Sequence, residues 1–284
     1  MAWISKINAF ETISKSFADF VPDEKTLKNW TIDGKEIPAF KQRNRWGFEE
    51  SLVDQWIQRT KGSLVFLNRD DYITCFKFAV EAYYSQMTRA DFNRGKQRDV
   101  GEFLTNQLIG KLGELAVANH VKNHGLEIKL DFDVNGQIPS QDITQISTRP
   151  KIWNNPAIKV SIKSTKLKNI LLALPINELD MIDRRSDIYV LAQVGLFGDH
   201  LLRIMKASKL DVLADVESLI PEFDSIPARI GGWVSYQELV ATGPLSVSTI
   251  RERFGIAMAG DNYIRTTGEL STDWKKMCSQ IIGL

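Results

Sequence analysis

The stretch Ile158-Lys159-Val160-Ser161-Ile162-Lys163-Ser164-Thr165-Lys166 constrains this chain more than any other. It alternates with the period of a strand, Val160 and Ile162 on one face, Ser161 and Lys163 on the other. A lysine held near the end of a strand loses water around its stem, and its ammonium then requires a partner. Candidate carboxylates precede it: Asp142 in Ile138-Pro139-Ser140-Gln141-Asp142-Ile143, and Glu114 after Gly113 in a long apolar-striped segment.

The periodicity around this stretch alternates between helix and strand. A helix is predicted from about Val100 to His124, striped by Phe103, Leu104, Leu108, Ile109, Leu112, Leu115, Ala116 and Val117, with Gly125 as its stop. Gly113 within it lets another backbone come close. Leu126 to Val134 alternates as a strand, Asn135-Gly136 is a hairpin signal, and Ile138 to Ile146 returns beside it. That arrangement stands Asp142 and Lys163 side by side on a hairpin of one sheet. Thr148 to Pro156 reads as a loop. Leu64 to Leu67 is a short apolar run, and Asp70-Asp71 caps a helix carrying Ile73, Phe76, Phe78, Ala79, Ala82 and Tyr83. Ile170–Leu174, Asp187–Val194 and Leu201–Met205 read as strands, the last two forming a hairpin with His200 as a turn residue. Ile230–Val234 is strand-like with a tight bend, and helices follow from Ser235 and over Leu270–Ile282. The fold class is α/β, with a mixed central sheet flanked by helices.

The N-terminal sixty residues read differently. Trp3, Ile4, Ile7, Phe10, Ile13, Phe17 and Phe20 predict a helix over about residues 2–19. Pro22-Asp23 starts a second, Glu24 to Trp30, and Asp33-Gly34 marks a turn. A basic hairpin tip, Lys41-Gln42-Arg43-Asn44-Arg45, returns as a strand, and Phe48 to Ile57 closes as a helix. Lys25, Thr26, Lys28 and Asn29 on the outer face of a short helix suit a major groove, and Arg43, Asn44 and Arg45 suit phosphates or a neighbouring minor groove. Gly34-Lys35-Glu36-Ile37-Pro38-Ala39-Phe40 and Val53-Asp54-Gln55-Trp56-Ile57 complete a segment that resembles the excisionase and MerR-like winged helix-turn-helix over residues 8–58. The plainer reading is a three-helix unit with solvated Lys and Arg. Thr60-Lys61-Gly62-Ser63 is the expected boundary, giving a DNA-binding domain over 1–60 and a second domain over 61–284.

A helical Glu, then Asp, then a strand ending x-x-Lys is the order of parts in one nuclease fold. The chain resembles the PD-(D/E)xK nucleases, and among them type II restriction endonucleases. The resemblance implies a restriction-endonuclease-like core, Mg²⁺ as cofactor, Asp142 as first metal ligand and Lys163 orienting the attacking water or stabilising phosphate charge. Ser161 stands where the motif places Asp or Glu. The family then takes a carboxylate from elsewhere, and Glu114 and Glu178 are alternatives or a pair. Ser164, Thr165, Lys166 and Lys168 follow where hydroxyls and cations meet phosphates. Without the family, Asp142, Ser161 and Lys163 form a polar strand face with a cross-strand ion pair.

Composition narrows the partners. Net charge is +1, so any DNA-facing surface is local. Cys75 and Cys278 form no disulfide framework or metal spacing, and a reducing cytoplasm is the default. No signal-peptide run opens the chain, and no apolar stretch approaches the roughly 18 residues of a membrane span. The expectation is a Mg²⁺-dependent, site-specific double-strand DNA endonuclease acting as a homodimer, with a DNA methyltransferase as genetic partner implied by the family alone. The rivals are a non-catalytic DNA-binding regulator and a repair or recombination nuclease that reads structure.

Overall fold

The computed structural model describes residues 3–17, 23–42, 45–85, 100–134, 141–202 and 225–284. Arg43, Asn44, the Asn135-Gly136 turn, Pro139 and the basic stretch 88–98 lie outside them.

The chain opens with β1 (Trp3–Ser5) and α1 (Lys6–Ser16), so Trp3 and Ile4 belong to a strand and not to the expected helix. Ser5 caps α1 by accepting from Asn8 N–H, which sets the helix start after the strand. Then come α2 (Glu24–Lys28), a π-helical continuation (Asn29–Asp33), β2 (Ala39–Gln42), β3 (Arg45–Glu49) and α3 (Glu50–Gly62). The strands form a sheet in the order β1-β3-β2. Ala9, Ile13, Phe17, Leu27, Trp30, Ile37, Phe48, Val53 and Trp56 bury themselves in a core of their own.

The main body follows in order: β4 (Leu64–Leu67), α4 (Arg69–Tyr84), α5 (Val100–Lys122), β5 (Glu127–Leu130), β6 (Ile143–Arg149), β7 (Ile152–Asn154), β8 (Val160–Lys166), β9 (Leu171–Pro175) and α6 (Ile176–Asp180). It ends with β10 (Ile188–Val194), β11 (Ile226–Ser235), α7 (Tyr236–Val240), α8 (Val247–Phe254), β12 (Asn262–Thr266) and α9 (Trp274–Ile282). The central sheet has the order β4-β11-β10-β8. β10 runs parallel to β8, β11 antiparallel to β10, and β4 antiparallel to β11, so the sheet is mixed and the fold is α/β. β10 has no exposed residue. Its alternation divides the core: Ile188, Val190, Ala192 and Val194 meet α5, while Tyr189 and Leu191 meet Leu172, Leu174, Leu179 and Leu239.

Three expectations give way. β6 pairs with β5 and β7 in a separate sheet, so Asp142 and Lys163 do not share a hairpin. Residues 148–156 are not a loop throughout, because β7 turns back on β6 through Lys151 at φ 67°. The partner of β10 is β11 and not Leu201–Met205; His200–Leu202 are helical and 203–205 lie outside the described residues. Two apolar runs close in sequence invite a hairpin reading, and only long-range pairing decides against it.

The N-terminal module is fixed to the body by polar contacts. Arg229, on β11, donates to Glu36, with the two side chains 4% and 2% exposed. Glu36 also accepts from Trp56 Nε1 (2.8 Å), and the Arg229 guanidinium lies 4.3 Å from the Trp30 ring centre. Trp30 Nε1 donates to Leu167 O (2.9 Å) and Asn29 Nδ2 to Lys168 O (3.0 Å). Removing one member of a buried pair strands the other charge. Arg229→Ala is expected to cost about 3–5 kcal/mol in urea unfolding. The joint change Glu36→Gln with Arg229→Met should recover part of that; no recovery would show that the pair's charges are not what Arg229 supplies.

Candidate active site

The site is built on β8. Its alternation turns Val160, Ile162 and Ser164 toward α5, and turns Ser161 and Lys163 toward β9 and α6. α5 comes very close: a Cβ on Gly113 would stand 2.0 Å from Ser164 Oγ, which itself donates to Gly110 O at 3.1 Å. Gly113 is therefore the residue that lets the helix lie on the strand, as its spacing suggested.

Lys163 finds its partner on α6. Its Nζ lies 2.5 Å from Glu178 Oε1, with the two side chains 32% and 28% exposed. Pro175 stands at the N-cap of α6 and Leu179 is buried, which fixes the helix register and aims Glu178 back at the strand. Ser161 lies beside Tyr189 in the parallel register and brings no carboxylate. Tyr189 is buried, and its hydroxyl is pushed up to about 12, by burial first and by the charge of Glu178 among the rest.

Asp142 sits one residue before β6, at the free edge of β8. Its N–H donates to Val160 O (3.2 Å), and its Oδ2 accepts from Ile162 N–H (2.5 Å). The expected sheet pairing is replaced by a carboxylate that reaches the strand directly. Among the described residues, no hydrogen bond or ion pair joins Asp142 to Lys163. The side chains of Glu114 and Lys111 are 10% and 12% exposed; Lys111 Nζ lies 2.7 Å from Glu114 Oε2 and donates to Asp131 O at 2.6 Å. Burial, then the charge of Asp142, push the Glu114 carboxyl up to about 8 against the pull of Lys111. Glu114 is thus coupled to Asp142, Glu178 is paired with Lys163, and β8 runs between them. Asp142, at the strand edge, touches the residue next to Lys163.

Lys111 was missed by sequence reasoning, although its i,i+3 spacing from Glu114 is a readable helix pair. It is also held over the Phe78 and Phe132 rings at 4.8 and 5.2 Å.

Among the described residues, no group of three or more His, Cys, Asp and Glu is placed to hold a metal. A three-carboxylate cage does not fit. Mg²⁺ keeps several waters and needs only one or two carboxylates; Asp142 and Glu114 are carboxylates whose charges act on one another.

The residues expected to face DNA divide. Lys25, Lys28, Arg45, Lys166 and Lys168 are placed on the surface: Lys25, Lys28, Arg45 and Lys166 are exposed, and Lys168 lines a cleft with Lys166. Thr26 is 5% exposed, inside the Asp23 cap, and cannot meet a groove; this corrects its expected role. The short α2 hides one face, and Thr26 falls on it. Asn29 is tied to Lys168 O. Trp46 (58% exposed) and Phe40 (40%) add aromatic surface to the β2–β3 hairpin that sequence reading did not single out. Arg265 is buried, donating to Thr242 Oγ1 and to the Glu238 and Leu239 carbonyls, so it does not face DNA. His200 is buried between Tyr72 and Thr105, at 3.0 and 3.2 Å.

A cleft of about 1100 Å³ is lined by the chain neighbours of Lys163 and Glu178 and not by the pair itself. Ser164, Thr165, Lys166 and Lys168 line it, with residues of α5, α6 and the 256–262 segment. No helix among the described residues is long and apolar enough to cross a membrane. No protein-family model, no curated protein and no solved structure matches the chain.

The buried acid sets a pH signature. With its folded value near 8 against an ordinary 4.5, Glu114 holds a proton in the folded state that the unfolded chain has lost, so stability falls as pH rises between those values. Burial lowers His120 and His200 to about 4 from 6.5, so they weaken the fold only as pH drops below 6.5. From pH 6.5 to 8 only Glu114 of these three groups acts, and unfolding free energy should drop by about 2 kcal/mol. Glu114→Gln should flatten that slope; a slope unchanged in the variant would assign it to another group.

Proposed function

We propose that this chain is a Mg²⁺-dependent endonuclease that hydrolyses phosphodiester bonds of double-stranded DNA at a specific site, of the type II restriction class. One observation carries the reading: Lys163, on an edge strand, is held by Glu178 while the Asp142 carboxylate grips the neighbouring Ile162 N–H. Lys163 with Glu178 on one side of β8, and Asp142 at its edge with Glu114 on the α5 side, supply the cation and the carboxylates that this reading needs.

Asp142 and Glu114 would hold the metal. A bound divalent cation supplies Lewis acidity toward the phosphate and a more acidic attacking water. Lys163 places positive charge where negative charge develops on the phosphate oxygens, and Glu178 holds that ammonium in position. Ser164, Thr165, Lys166 and Lys168 bind the strand, and the N-terminal module, read as a winged helix, adds Lys25, Lys28 and Arg45. Cutting both strands calls for two such sites, hence a homodimer. Ser161 favours the second reading, a DNA-binding protein that does not cut, since no carboxylate stands two positions before the lysine.

Plasmid DNA, methylated and unmethylated, is incubated with the protein in Mg²⁺ and in chelator. Discrete Mg²⁺-dependent fragments are expected, and Lys163→Ala or Asp142→Asn should slow cutting by about 100-fold or more with duplex binding retained. A shifted but uncut plasmid would favour the second reading. Cleavage confined to branched or junction substrates would replace site specificity with structure reading.

A further inference from the structure

The cleft that the chain neighbours of Lys163 and Glu178 line holds two chemistries. Lys166 and Lys168, with neighbouring hydroxyls, suit a phosphate. Asn106 of α5 and Asn177 and Asp180 of α6 line the same cleft and are exposed. Glu102 and Asp261, also exposed in the lining, join Asp180 as three carboxylates beside the two amides, poor company for a phosphate chain that they would repel. They match base edges well: Asn pairs bidentately with adenine, and Asp accepts from the cytosine amino group.

Their placement is fixed. Burial of Leu179 turns Asn177 and Asp180 outward, and Asn177 directly precedes the Glu178 that holds Lys163. Asn106 lies one turn before Ile109, which lines the cleft too. The lysine side continues past the cleft: Asn29 of the N-terminal module, one residue after exposed Lys28, donates to Lys168 O at 3.0 Å. One strand's phosphates can therefore follow lysines of both modules while base edges enter the cleft.

We propose that Asn106, Asn177 and Asp180 are specificity-determining residues, reading A·T pairs and a C·G pair next to the phosphate that Lys163 faces. The inference rests on the nuclease reading and names the part of that site that selects sequence.

The full-length protein is tested on a plasmid library with randomised cassettes, sequencing cut and uncut pools, and on the same library by binding selection in chelator. Asn177→Ala and Asn106→Ala should each lose at least about fivefold discrimination at one A·T position. Asp180→Ala should relax a C·G position. Lys168→Ala should weaken all sequences alike and reduce the salt slope of binding by about one. Variants that keep the wild-type motif and discrimination in both selections overturn the proposal. If nothing is cut in Mg²⁺ the nuclease reading fails, and the binding selection alone then decides the base-reading role.

Discussion

The structure depends on keeping β10 dry. A strand without one exposed residue must be covered on both faces and paired on both edges, and the surroundings of β10 follow from that demand. α5 and α4 cover one face, β9 with α6 and α7 the other, and β8 and β11 take the edges. Its one amide side chain, Gln193, is fully buried and donates to the carbonyls of Leu167 and Asn169, while its oxygen meets Arg229. That single residue ties the central strand to the turn leaving β8 and, through Arg229, to Glu36 of the N-terminal module.

This makes the seam between the modules part of the candidate site. The turn after β8 is held by Trp30 and Asn29 from one side and by Gln193 from the other, and Asn169 Nδ2 donates to Thr165 Oγ1 at 2.7 Å. Under the proposed nuclease reading β8 needs such support, because a shift of an ångström is costly in an aligned site. The helix expected to enter a groove instead supports that strand with its inner face and leaves Lys25 and Lys28 outside.

Much of this was legible in local pattern. The strand at β8, the helix at α5, the close approach at Gly113 and the central apolar strand are all periodicity or composition signals, and each rests on interactions within a few residues. Less legible were pairings across the chain. β11 lies far beyond β10 in sequence, and two apolar runs nearer by mimic a hairpin. Thr26 looks like a groove-facing residue until the Asp23 cap and the packing of α2 bury it. The carbonyls at the end of α7 hold Arg265 inside, a partnership that no local pattern announces.

The sequence by itself determined most of the element types, the mixed α/β class and a set of polar residues able to pair. Tertiary structure decided who meets whom. Only the fold shows that Glu178 meets Lys163, that Glu114 is held by Lys111 and influenced by Asp142, and that Asp142 reaches β8 by its carboxylate and not by strand pairing. The physical reason is the range of the interactions. Periodicity reports burial, which each residue settles with its neighbours, whereas charge partners are chosen by the packing of segments that the chain brings together from far apart.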